Sequence, residues 1–78
     1  MVNIKNIEKN NDIVKCEIYP EDSKEAGTLS VDLSTEKYQY ELPAGYEWCK
    51  NHAAHAAREI VALNREGKLP KEKRIMWV

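Results

Sequence analysis

Between Gly45 and Gly67 apolar residues recur every three or four positions, and the run closes on Gly67, Leu69 and Pro70. That spacing is the signature of an amphipathic helix, because residues three and four apart share one helix face. The stop is equally specific. Glycine accepts the left-handed C′ conformation, a leucine two residues on can fold back over the last turn, and proline prevents continuation. The sequence therefore predicts one helix over Gly45–Gly67, about 33 Å long at about 1.5 Å per residue, comparable to or longer than the strands and expected to overhang at one end. Its start is less well furnished: Glu47 suits the first turn electrostatically, but no Ser, Thr, Asp or Asn supplies a side-chain cap.

On a helical projection Tyr46, Cys49, Ala53, Ala56, Ala57, Ile60, Val61 and Leu63 form one stripe, with Arg58, Ala62 and Arg65 roughly opposite. The central alanines permit close approach to a sheet, and Ile60, Val61 and Leu63 contribute roughly 1.5–3 kcal/mol each if fully buried.

The residues before the helix read as strands. Val2–Lys9 and Ile13–Tyr19 flank Asn10-Asn11-Asp12, which tolerates turn conformations, so the opening is a β-hairpin. Val14, Cys16 and Ile18 share a face, whereas Ile4 and Ile7 differ in parity. Either a bulge lies between them or Ile7 points away from the core. Pro20–Gly27 is a polar loop. In Thr28–Leu33 the residues Leu29, Val31 and Leu33 alternate with Ser30 and Asp32; after a turn at Ser34–Lys37, Tyr38, Tyr40 and Leu42 alternate with Gln39 and Glu41. Such alternation marks strands with one wet face, in antiparallel meander order. Lys71–Val78 returns to β-prone residues and reads as a fifth strand docked beside the meander, its place in the sheet left open. The expected fold class is α+β: an antiparallel meander sheet of four to five strands with one long α-helix packed on one face, the final strand at the C-terminus, in a single domain over residues 1–78.

Composition narrows the class. Seventy-eight residues, 42% hydrophobic and 32% charged, make one small globular domain. No apolar run is long enough to span a bilayer, and the N-terminus lacks the pattern of a signal peptide, so no membrane association and a cytoplasmic location are expected. Cys16 and Cys49 are far apart and outside any CxxC pattern, which suits buried thiols in a reducing compartment. The net charge of −1 hides a segregation: Glu17–Glu47 carries −6 and Trp48–Val78 carries +4. The two segments are expected to face one another within the fold.

Candidate chemistry gathers on the helix. Trp48, His52, His55, Glu59 and Glu66 fall in a band beside the core stripe. His52, His55 and Glu59 are spaced to converge, which makes them candidate ligands for a transition metal. The same band read structurally has Trp48 packing on His52 one turn along, and Glu59 pairing with His55 on a solvated face. A third reading makes Trp48, His52, His55 and Leu63 a semi-apolar contact face for a second copy or another protein, since tryptophan is enriched among interface anchors. Catalysis lacks a motif. No serine or cysteine sits in a nucleophile signature, no glycine-rich loop is present to hold phosphate, and Cys49, one turn from His52, belongs to the core stripe, where a thiol stays neutral. No cofactor is expected. Arg65, Lys68, Lys71, Lys73 and Arg74 form the only basic cluster, but Asp32 and Glu41 on the wet strand face oppose phosphate, so nucleic acid is not the expected partner.

Gly27-Thr28-Leu29-Ser30-Val31-Asp32-Leu33 and Lys73-Arg74-Ile75-Met76-Trp77-Val78 resemble segments of short bacterial proteins that carry no assigned activity. That resemblance implies a small cytosolic bacterial protein and transfers no site residues. Together these readings point to a non-catalytic accessory or interaction module. Its expected partner is itself or another protein.

Overall fold

The fold is taken from a computed structural model that describes residues 1–77. Five strands, β1 (Val2–Asn10), β2 (Ile13–Pro20), β3 (Gly27–Asp32), β4 (Lys37–Glu41) and β5 (Lys73–Ile75), and one helix, α1 (Lys50–Arg65), make an α+β domain. The strands form one antiparallel sheet in the order β4-β3-β2-β1-β5. The last strand therefore docks beside the first, at the edge opposite β4. It is also shorter than the sequence suggests: β5 ends at Ile75, Met76 is exposed, and Trp77 leaves the sheet to pack on the helix. Val78 lies outside the described residues.

Ile7 is resolved by a β-bulge. The β1–β2 register shifts between Lys5 and Glu8, and Asn6 takes φ +53, a left-handed conformation that asparagine tolerates better than most residues. The extra residue restores Ile7 to the core side, where it is buried and its N–H donates to Lys71 O at 2.9 Å. Between β1 and β2, Asn11 makes the turn at φ +56.

The helix is shorter than the periodicity predicts, beginning at Lys50 instead of Gly45. Gly45 sits at φ +87, which no helix accommodates. In place of a first helical turn the chain makes successive tight turns, with Tyr46 N–H donating to Pro43 O at 3.0 Å, Cys49 N–H to Tyr46 O at 2.9 Å and His52 N–H to Cys49 O at 3.1 Å. Turns that close every three residues preserve the apolar spacing of a helix without its geometry. The missing cap has the same origin: Cys49 is the N-cap residue and makes no side-chain capping bond. The far end matches its prediction. Gly67, at φ +68, donates to Asn64 O at 3.0 Å and Lys68 N–H donates to Leu63 O at 2.9 Å, the paired bonds of a Schellman motif.

Ala53, Ala56, Ala57 and Ile60 bury the inner side of α1 against Val2, Ile4, Ile7, Val14, Cys16, Ile18, Leu29, Val31 and Ile75. The alanines let the helix lie close, and Ile60 fills the gap they leave. Pairing of Leu29 with Tyr40 and Val31 with Tyr38 puts both tyrosines on the helix side of the sheet, yet both remain more than a third exposed, because α1 rests chiefly on β1, β2, β3 and β5. The other sheet face, with Asn3, Lys5, Lys15, Glu17, Ser30, Gln39 and Glu41, is polar and uncovered.

Candidate functional site

Five rings stack in sequence around the N-terminal end of α1. Tyr46 lies 6.5 Å from Trp48 between centroids, Trp48 meets His52 edge-on at 5.8 Å, His52 meets Trp77 edge-on at 4.8 Å, and Trp77 lies flat on His55 at 4.2 Å. Trp48 belongs to the turn before the helix, not to its first turns, and its indole N–H donates to Gly45 O at 3.2 Å. The i to i+4 spacing still brings it to His52. Trp77 enters from the distant C-terminal end because β5 places it beside β1 and under the helix.

His52 is buried. Its residue is 8% exposed, and its Nε2 lies 2.7 Å from Glu21 Oε2. The same carboxylate oxygen accepts from the Met1 ammonium at 2.7 Å, so one acidic residue ties the start of β1 and the helix to the β2–β3 loop. Glu21 reaches this position from a left-handed backbone, φ +51, with its N–H donating to Met1 O at 2.9 Å. The ammonium, and next His52, hold the Glu21 carboxyl below its ordinary value. A carboxylate only accepts, so Nε2 carries the shared hydrogen, and Nδ1 is sealed from solvent with no hydrogen-bond partner among the described residues.

This geometry separates the proposed metal ligands. His52 spends Nε2 on Glu21, His55 lies against Trp77, and Glu59 forms no ion pair with His55 among the described residues. Nowhere among those residues do three His, Cys, Asp or Glu side chains converge as a metal site. Leu63 is half-buried, about 12 Å along the helix axis from His55. Both cysteines are free and buried. Burial, and secondarily the charge of Glu17, push the Cys16 thiol up to about 12, and burial followed by Glu21 raises that of Cys49. Thiols so placed are poor nucleophiles at neutral pH.

The acidic and basic segments meet less than their charges suggest. Arg65 donates to Glu36 at 3.1 Å, while Arg74 turns to Asn3 at 3.2 Å and Lys68, Lys71 and Lys73 stand exposed. Two residues that meet His52 were not legible as its partners. Glu21 is one of several acids in a polar loop, with no spacing relation to His52, and Trp77 lies 25 positions from it in a segment whose pattern is that of a strand. Tyr46, whose hydroxyl donates to Asp22 at 2.9 Å, further secures the same loop. No helix among the described residues is long and apolar enough to cross a membrane.

Comparison with known proteins finds no matching family model, curated protein or solved structure.

Proposed function

We propose that this domain is a non-catalytic protein-interaction module that docks another protein through the aromatic end of α1, centred on Trp48 and His55. The observation that carries this reading is the exposure of Trp48, 67%, and Met76, 70%, on either side of the packed His52–Trp77–His55 stack. Tryptophan and methionine are enriched where interfaces are most apolar, and a ring already held from behind loses little freedom on binding. His52 and Trp77 act from below, as supports, while Trp48, His55 and Met76 meet the partner. His55 and Met76 also border a shallow depression with Ala54, Arg58 and Glu59, which supplies a polar rim.

A photo-reactive residue at position 48, compared with one at position 30 on the open sheet face, tests this in cells. Support requires a protein captured from position 48 alone that, once purified, binds the domain saturably and loses affinity by about ten-fold or more on Trp48→Ala. Equal capture from both positions, or affinity indifferent to Trp48→Ala, overturns the reading.

A further inference from the structure

The second exposed apolar surface is on β4, whose Tyr38 borders the same depression as His55 and Met76. All five residues of β4, Lys37-Tyr38-Gln39-Tyr40-Glu41, are exposed, and among the described residues one edge of the strand has no partner strand. Tyr38 and Tyr40 stack at 6.0 Å on the helix side, 38% and 37% exposed, while Lys37, Gln39 and Glu41 occupy the open side. Neither Lys37 nor Glu41 has an ion-pair partner among the described residues.

We infer that β4 is a self-complementary edge which pairs antiparallel with β4 of a second copy about a two-fold axis at Gln39, making a ten-stranded sheet. Antiparallel pairing centred on Gln39 sets each Lys37 opposite the other copy's Glu41, twice, and each Tyr38 opposite the other copy's Tyr40. Centring on Tyr38 or Tyr40 instead leaves a charge facing Gln39. Each row of the existing sheet then continues across the junction. On the helix side Val14, Val31 and Tyr38 run on into the other copy's Tyr40, Leu29 and Cys16; on the open side Asp32 and Lys37 run on into Glu41 and Thr28. Both helices lie on one face, and the half-covered tyrosines gain aromatic neighbours at cross-strand distance.

The opposite edge argues for this occupant by contrast. Self-pairing of β5 about Arg74 sets arginine against arginine, a like-charge pair that disfavours association. On β4 the same kind of charged residues repel a foreign strand of one sign but match a second copy of this chain.

Sedimentation of the 9.0 kDa chain over a concentration series, with folding checked by circular dichroism, reads the outcome. The wild type forms a reversible dimer. Lys37→Glu and Glu41→Lys each raise its dissociation constant about ten-fold or more, and the double swap Lys37→Glu/Glu41→Lys restores it, because opposite charges again face each other. Gln39→Cys provides a second measurement independent of those variants: residue 39 faces itself, within disulfide reach, so it cross-links copies under mild oxidation faster than Arg74→Cys, the native thiols being buried. Trp48→Ala leaves dimerisation unchanged, which separates this edge from the ring stack. A wild type that stays monomeric at millimolar concentration overturns the inference. So does a dimer indifferent to both single reversals, or cross-linking at 39 no faster than at 74.

Discussion

The two edges of the sheet are finished in opposite ways. β5 is three residues long, carries Lys73 and Arg74, and is followed after Met76 by Trp77, which packs on His52 and His55 of α1. β4 is five residues long, lies beyond the main footprint of the helix, and leaves Tyr38 and Tyr40 half covered. The helix meets β3 most and β4 least, and that placement leaves the tyrosines of β4 only partly covered while Trp77 reaches α1 from beyond β5. A short basic edge resists strand addition; a longer edge of balanced charge does so less.

Removing what the two edges share should have the largest effect. Ile60, fully buried, lies at the contact between α1 and the sheet, and Ile60→Asp is expected to cost more than about 4 kcal/mol and to abolish the far-ultraviolet dichroism of the folded state. A folded variant would show that the edges do not depend on a common core. Trp77→Ala then addresses one edge alone: with the ring gone from His52 and His55, a loss of about 3 kcal/mol is expected, with faster amide exchange at Lys73–Ile75 and His52–His55 but not at Lys37–Glu41.

The complementary variant is Gly27→Ala. A Cβ at Gly27 would lie 2.2 Å from Glu41 O and 3.0 Å from Pro43 Cδ, so the end of β4 must move away. About 2 kcal/mol should be lost, with exchange accelerated at Tyr40 and Glu41 while β5 keeps its protection. Uniform acceleration across the sheet would mean that the edges are not independent. Smaller still, Tyr38→Ser/Tyr40→Ser should cost the dilute monomer about 1 kcal/mol or less by thermal denaturation, because more than a third of each ring already meets water.

The smallest expected effect is electrostatic and belongs to the β5 side, where Glu21 ties Met1 and His52 together. Since the folded state holds this carboxyl below its ordinary 4.5, its contribution is present above that value and disappears as the pH falls through the lowered one. Thermal stability followed from about pH 6 to pH 3 should therefore fall less steeply for Glu21→Gln than for wild type. Parallel curves would remove Glu21 from the acid response.

Much of the architecture was legible because it is written in local periods. Alternation in Thr28–Leu33 and the three-to-four spacing from Ala53 to Ile60 each report a buried face directly, and Gly67 reports a backbone conformation that other residues avoid. The parity conflict of Ile4 and Ile7 left a bulge and an outward-facing Ile7 both open, and the register shift between Lys5 and Glu8 decides for the bulge. The helix start was misread because three-residue turns mimic helical spacing. The sole warning was the absent cap, together with a glycine whose positive φ no pattern reveals. The burial of His52 was not legible for another reason: a histidine at the margin of an apolar stripe is covered or wet according to what arrives from elsewhere, and here Trp77 and Glu21 arrive from distant parts of the chain.

By itself the sequence determined four of the strands, the presence of one helix and its stop, and the inward side of β2, of β3 and of the middle of α1, since these depend on neighbours within a few positions. Only the tertiary structure decided that β5 joins β1, that Glu21 binds His52, and that β4 is left outside the cover of the helix. Those outcomes depend on where a rigid rod comes to rest on a twisted sheet. That is a packing property of the whole chain, with no counterpart in any local repeat.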